Sequence, residues 1–436
     1  MALALSGFAA MLALIAVRLP VGLAMFVIGA LGYLHFTSLP IFLNYLKTTP
    51  YFLFSNYTLS VIPLFILMGA LAERSGLSQD LFRAASALVG HRRGGLAMGV
   101  IGACTAFGAI CGSSVATTAT FGRAALPELE RYGYAPSLST GTIAVGGTLG
   151  ILIPPSVILV VYAISTEQNI VKLFMAALLP GLLAMSFYLL VIAAVAWRDP
   201  AAAPAHPPLP AAERRRALLA VWPAVLVAIV VVGGIYGGVF TPTEGAAVGA
   251  VSMLVVGLAR RSLPLAALKT SLIQTAETTA LIFLILLGAE VFNAFLAFTQ
   301  LPAEAAAAIA QSGLPPYAIL ATMLAIYLLL GAVMDELAMI LLTLPVFFPV
   351  IVALDFGLTS EEVAIWFGIL VLIVVGIGLT APPIGLNVFV INAIAKKVPI
   401  TQTYRGVLPF VAADLLRLAI CVAAPGLSLW LVRVLG

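Results

Sequence analysis

The sequence predicts an all-α polytopic membrane protein built from two inverted repeats, each with a re-entrant hairpin and a broken helix. Three observations carry that prediction. Of 436 residues, 63% are hydrophobic and only 9% charged, against about 25% charged in an ordinary soluble domain. Basic residues gather on one side of a layout that keeps two interrupted apolar stretches as hairpins. The two halves of the chain also carry the same motifs in the same order.

So few charges cannot clothe a water-facing surface, whereas a lipid-facing one needs almost none; the mean hydropathy of +1.17 agrees. The net charge of +4 is small, and no basic patch is interleaved with aromatics, so nucleic-acid binding has no support. Cys104, Cys111 and Cys421 are odd in number and lie in apolar segments, which reads as packing and not as a disulfide set. His35, His91 and His206 show no ligand spacing, which argues against a metal site beyond a simple coupling ion. No Gly-rich loop ends in Lys-Ser/Thr, so ATP use is not expected. The apolar N-terminus lacks a cleavage pattern and reads as a retained first span.

A spanning helix needs about 20 mostly apolar residues. Such stretches fall at 2–17, 21–36, 58–73, 136–165, 173–197, 217–240, 243–259, 271–298, 361–395 and 405–433. Two more, 95–125 and 316–352, are interrupted by Gly, Ser or acidic residues and read as hairpins that enter the membrane and return to the same side. With the N-terminus outside, one compartment then collects nearly all basic residues, from Arg18, Arg74 and Arg123 through Arg214-Arg215-Arg216 to Lys396 and Lys397. The opposite side keeps Lys47, Lys172 and Arg433, and Arg417 falls within the last span. Making either hairpin a single crossing inverts everything after it and spoils the separation. Pro200–Pro210, rich in Ala and Pro, has no helical periodicity and reads as a cytoplasmic linker. It divides the chain into a half at 1–197, a linker at 198–216 and a half at 217–436.

The halves match motif by motif. Leu64-Phe-Ile-Leu-Met-Gly-Ala-Leu-Ala-Glu73 resembles Ile282-Phe-Leu-Ile-Leu-Leu-Gly-Ala-Glu290. An amphipathic stretch follows in each, 77–90 and 302–312, then a hairpin, a proline exit at Pro127 or Pro349, and an aromatic-Gly turn at Tyr132-Gly133 or Phe356-Gly357. Each half then reaches a Gly-rich helix ending in Pro154-Pro155 or Pro382-Pro383. The first hairpin opens from the cytoplasm and the second from outside, so the repeats are inverted. Proline has no N–H and interrupts the helix. Carbonyls freed at membrane depth survive only where they line a cavity or a bound ion. Inverted repeats with paired broken helices point to a midplane binding site of the secondary-transport kind. Each hairpin tip is expected to face the adjacent Pro-Pro break.

The first tip, Cys111-Gly-Ser-Ser-Val-Ala-Thr-Thr118, offers hydroxyls at Ser113, Ser114, Thr117 and Thr118, either as ligands or as helix-packing glue. The second tip places Asp335 and Glu336 in an apolar stretch, where a charge costs at least ~2.5–3.5 kcal/mol and is functional by default. The alternative for these acids is capping of backbone N–H groups at the tip. Thr148, Gly150, Thr380, Pro382 and Asn387 lie at the two breaks; a role in satisfying broken-helix backbone stands beside a ligand role. Half-helix C-termini suit sodium and N-termini suit carboxylates. Sodium therefore falls to Ser113, Ser114, Thr148, Gly150, Thr380 and Pro382, and solute to Thr117, Asp335 and Asn387. Glu244, in Thr241-Pro-Thr-Glu, fits a helix cap. No nucleophile and base converge, so an intramembrane enzyme is disfavoured.

Pro63-Leu-Phe-Ile-Leu-Met-Gly69, Cys111-Gly-Ser-Ser-Val-Ala-Thr117, Gly147-Thr-Leu-Gly-Ile-Leu-Ile-Pro-Pro-Ser156, Phe240-Thr-Pro-Thr-Glu244 and Gly378-Leu-Thr-Ala-Pro-Pro-Ile-Gly-Leu-Asn387 occur in that order. Together they resemble the large permease subunit of tripartite ATP-independent periplasmic (TRAP) transporters, the DctM family, over essentially the whole length. The resemblance implies an elevator mechanism in which hairpins and broken helices slide against a scaffold. It also implies Na⁺ near the hairpin tips driving uptake of a small organic acid, a carboxylate, across the bacterial inner membrane. The implied partners are a soluble periplasmic substrate-binding protein and a small four-helix membrane subunit, expected here as a separate chain. A stand-alone sodium/carboxylate symporter of similar architecture is the competing expectation.

Overall fold

The computed structural model describes residues 2–301, 303–304, 307–308 and 313–435, and among these every regular element is helical. Seven helices are long and apolar enough to cross a membrane, eight when one bent pair counts as a span. The chain is thus an all-helical polytopic membrane protein. The ten spans expected from hydropathy are not all single long helices. Ala2–Ala16 and Val21–Phe36 stand where the first two were placed, but have 15 and 16 residues. At 1.5 Å per residue they reach roughly 22–24 Å, short of a ~30 Å hydrocarbon core. The stretch 405–433 is two helices, Ile400–Ala423 and Gly426–Leu435, parted at Pro425. Proline there removes a backbone donor and turns the chain. A further helix, Leu39–Phe54, was not anticipated, and Phe42 is its one buried residue.

Glycine sets a close helix crossing. Val21–Phe36 lies along the 35-residue helix Leu265–Thr299. A Cβ on Gly29 would sit 2.6 Å from the Phe292 nitrogen, and one on Gly22 2.8 Å from the Ile285 nitrogen. Small residues let backbones approach where lipid tails are as apolar as leucine and dispersion does the holding.

The element order repeats. Val61–Arg74, Leu77–Val89, Gly95–Cys111 with Ser114–Arg131, Pro136–Leu152 with Val157–Ser165, and Ile170–Arg198 make the first set. Leu265–Thr299, Pro316–Gly331 with Glu336–Val352, Ser360–Gly378 with Leu386–Ile394, and Ile400–Ala423 make the second. Leu77–Val89 occupies the first amphipathic stretch; most of its counterpart, 302–312, lies outside the described residues. Both hairpins run on past the expected exits. Pro127 and Pro349 lie inside Ser114–Arg131 and Glu336–Val352, in the final turns, where each removes one N–H from the helix ladder without ending the helix. The aromatic-Gly turns follow, with Gly133 and Gly357 at φ +74° and +69°.

The first broken helix bends by 44° between Leu152 and Val157. The second parts over the longer segment 379–385. Each post-break helix packs on the hairpin of the other half: Leu386–Ile394 on Ser114–Arg131, and Val157–Ser165 on Glu336–Val352. The linker is also tied down. Ala203 and Ala202 carbonyls accept from Gly94 and Ala135 N–H at 3.0 and 2.9 Å, and buried His206 packs its ring on Tyr132. Its last residues, 211–216, are already helical, within Ala211–Ala220. Thr241 and Glu244 form the expected capping box.

Gly29→Val pushes two helix backbones apart, and an overpacked contact of this kind costs about 1–3 kcal/mol. The purified variant should therefore melt at lower temperature than wild type; an unchanged midpoint would contradict the close crossing.

Candidate functional site

In each half a hairpin packs closely against a broken helix. Gly112 ends Gly95–Cys111 at φ +63°, and a Cβ there would lie 2.9 Å from the Pro155 carbonyl oxygen. The first tip therefore does face the first Pro-Pro break. Gly108 sits against Leu149 and Gly150, where a Cβ would approach within 2.9 Å of the Leu149 carbonyl oxygen. In the other half a Cβ on Gly378 would be 2.6 Å from the Gly331 carbonyl carbon. In both places the C-terminal end of a hairpin helix lies against the C-terminal end of a broken helix.

The second helix of each hairpin opens on a side-chain cap at equivalent positions. Ser113 accepts from Ala116 N–H at 3.4 Å, and Asp335 from Ala338 N–H at 3.3 Å. Capping of the tip, one of the two roles weighed for Asp335, is therefore present, and its carboxylate remains on the rim of a cavity.

The remaining candidates divide by location. Ser114 and Asn387 are fully buried and exchange hydrogen bonds, Ser114 Oγ donating at 3.1 Å and Asn387 Nδ2 at 2.7 Å. Asn387 Nδ2 also donates to the Ala144 carbonyl at 3.1 Å. This triad joins the first hairpin to both broken helices, and Asn387 does not line the cavity described below. Thr117 donates to the Ser113 carbonyl at 2.7 Å, and Thr380 to the Ile377 carbonyl at 3.0 Å. Gly150 backs the first tip, since a Cβ would meet both the Ser113 carbonyl oxygen and Thr117 Oγ1 at 2.6 Å. Pro382 lies on an exposed stretch, whereas Pro154 and Pro155 are buried. Thr148 turns away from the tip: it donates to Val145 and lies 3.1 Å from Tyr188 Oη.

Thr148 thereby enters a polar network outside the expected site. Tyr188 Oη donates to Asp414 Oδ2 at 2.7 Å, and Asp414 Oδ1 lies 2.9 Å from Arg417 Nη2. Both charged side chains are at most 2% exposed. Arg417 within a span was visible in the sequence; Asp414 three residues earlier, on the same helical face, was the unread half of that signal.

A cavity of about 520 Å³ opens between the tips and the helices Val61–Arg74 and Leu265–Thr299. Ser113, Val115, Ala116, Gln274, Asp335 and Glu336 are on its wall, with Glu73 and Arg123 paired at 2.5 Å. Glu73 reaches this cavity wall with Arg123, 50 residues on, as its partner. Among the described residues no three His, Cys, Asp or Glu side chains cluster as a metal site.

Asn387→Ala leaves the Ser114 hydroxyl and Ala144 carbonyl buried without this partner, at about 1–3 kcal/mol. A drop in melting temperature larger than that of Thr380→Ala is expected, and equal drops would deny the triad its linking role.

The family model described as "Tripartite ATP-independent periplasmic transporter, DctM component" matches residues 8–427. A C4-dicarboxylate TRAP transporter large permease of Pseudomonas aeruginosa is 37% identical over 386 residues, 87% of each chain. An ectoine TRAP transporter large permease of Halomonas elongata is 31% identical over 376 residues, 86% of each chain. An isethionate TRAP transporter permease, DctMQ, of Oleidesulfovibrio alaskensis is 30% identical over 98% of this chain and 65% of its own. The YdaH transporter of Alcanivorax borkumensis shares the fold at a TM-score of 0.63 and 17% identity, over 88% of this chain and 89% of that one. The chain accordingly belongs to the DctM component family of tripartite ATP-independent periplasmic transporters, and is a transporter permease and not an enzyme.

Proposed function

We propose that this permease takes up a small organic acid across the bacterial inner membrane, driven by sodium. A periplasmic binding protein delivers the solute, and a small membrane subunit completes the scaffold; the name of the isethionate relative, DctMQ, supports a second membrane component. The observation that carries sodium coupling is the pairing of helix C-terminal ends at each hairpin, Gly108 beside Leu149–Gly150 and Gly331 beside Gly378. A helix C-terminus carries roughly half a negative charge on its free carbonyls. Two facing each other, with hydroxyls of Ser113, Ser114 and Thr380 at hand, favour a small hard cation. Sodium needs only such oxygens and no cluster of carboxylates. On this reading the N-terminus is periplasmic, the hairpins are re-entrant, the two repeats are inverted, and hairpins and broken helices move together as an elevator. The cross-packing of each post-break helix on the other half's hairpin supports that single moving body.

The test is uptake of labelled organic acids into liposomes holding the permease, its small subunit and candidate binding proteins. Uptake that requires both an inward sodium gradient and a binding protein is expected. Sodium-driven uptake with no binding protein would instead mark a stand-alone symporter. Asn caps helices as well as Asp, so Asp335→Asn keeps the tip and removes its charge. It should cut uptake about tenfold or more, the worth of one charged hydrogen bond, with membrane insertion intact. Replacing Ser113 and Ser114 together by Ala should shift the sodium titration to higher concentration, and an unmoved titration would assign both to packing.

A further inference from the structure

We propose that Glu73 and Arg123 form a latch at the cytoplasmic exit of the cavity, tying the first hairpin to the scaffold and parting in each cycle to release the solute. The inference rests on the elevator reading and on the membrane orientation proposed above. Glu73 lies in the last turn of Val61–Arg74, which packs on Pro242–Ala259 and Leu265–Thr299 and so stands with the scaffold. Arg123 lies midway along Ser114–Arg131, the second helix of the hairpin. Arg123 Nη2 donates to Glu73 Oε1 at 2.5 Å, and that contact crosses from the moving body to the fixed one.

Its surroundings decide what the crossing does. A second cavity, of about 510 Å³, is lined by Arg74, Ser78, Gln79 and Thr120. Glu73 and Arg123 are on the walls of both cavities, so the pair stands where the inner one gives way to the outer. Arg74 donates to Gln274 on Leu265–Thr299 at 3.5 Å and stays with the scaffold. Gly69 lies one turn before Glu73 on the same helix face, and a Cβ there would sit 2.9 Å from the Cys111 carbonyl oxygen. One face of Val61–Arg74 thus runs along the hairpin, with a glycine at the tip and an acid at the exit. A hairpin sliding along that face carries Arg123 away from Glu73, and an ion pair holds only within about 4 Å. The side chains of Glu73 and Arg123 are 19% and 59% exposed. A pair so accessible to water is weak and screened by salt, so it opens and closes readily. An apolar plug at this place would expose its surface to water in every cycle.

Ala119 lines the inner cavity, so Ala119→Cys reports the state of the exit. The experiment measures its labelling by a membrane-impermeant thiol reagent in inside-out vesicles that hold the permease with its small subunit. Glu73→Gln or Arg123→Gln should raise the labelling rate about two- to fivefold, the worth of one partly exposed ion pair. Exchanging the charges, Glu73→Arg with Arg123→Glu, should restore the slow rate. An unchanged rate in the single variants overturns the latch. So does a swap that fails to restore it, which is the outcome if Arg123 serves as a solute contact instead. Glu73→Cys with Arg123→Cys, joined by a short bis-methanethiosulfonate, should lose uptake and regain it on reduction, which also shows that the protein is folded. Undiminished uptake through that link overturns the latch, as does failure to link when each cysteine labels singly. A second link, across the inner cavity from Val115→Cys to Ile282→Cys, tests the underlying reading. Uptake that continues through it means that the hairpin does not slide, and the elevator reading then fails separately.

Discussion

Backbone groups freed inside a membrane must find partners within the protein, because lipid offers none. Both helix breaks answer this constraint, and they answer it differently. At the first, every residue from Ile151 to Val160 is buried, with Ser156 capping the helix that follows. At the second, Pro382–Ile384 is exposed, and the Pro383 and Ile384 carbonyls accept from Tyr404 Oη at 3.0 and 2.6 Å. Tyr404 stands on the next helix, so the loop is held by a side chain and not by enclosure. The two breaks are then joined through Asn387, which reaches Ser114 in the first hairpin and Ala144 in the first broken helix. Breaking that contact leaves the buried Ser114 and Asn387 side chains without these partners, which makes independent movement of the two halves costly.

The Asp414–Arg417 pair belongs to the same body. It sits between Ile170–Arg198 and Ile400–Ala423, and through Tyr188 it touches Thr148 on the first broken helix. Desolvating two charges costs several kcal/mol per ion before their attraction is counted. Such a pair specifies geometry more than it adds stability. Here it fixes how the two post-break spans stand against the Gly147–Gly150 turn, where a Cβ on Gly147 would fall 1.8 Å from Thr118 Oγ1. Close tolerances at the tip therefore depend on a charge pair one helix away.

Sequence reading succeeded where the signal is local. Thr241-Pro-Thr-Glu244 caps because donor and acceptor are three residues apart; the glycines of Tyr132-Gly133 and Phe356-Gly357 mark turns; the two tips announce themselves by hydroxyls and acids in apolar surroundings. It failed where partners are distant or hydropathy is diluted. Leu39–Phe54 escaped because Asn44, Lys47, Thr48, Thr49 and Pro50 lower its apolar character, although its helix forms. Tyr188 and Asp414 are 226 positions apart, and nothing in either segment names the other. Asn387 was legible as a polar residue at a break, but its bond to Ser114 spans 273 positions, so its choice of partner was not. The linker read as free because its composition is Pro and Ala, yet its carbonyls take up N–H groups left at Gly94 and Ala135. Composition describes what a segment can do alone, not what its neighbours require of it.

The sign of the potential at the tips ties ion to solute. Paired helix C-termini push this region negative. On the proposed function, a carboxylate approaching it is repelled until cations occupy the carbonyl cradles. Each bound sodium offsets that field and strengthens the hold on the solute's anionic end. By linkage the solute must strengthen sodium binding by the same factor. On that function, coupling of ion to solute requires no separate gate: it follows from where the chain ends its helices.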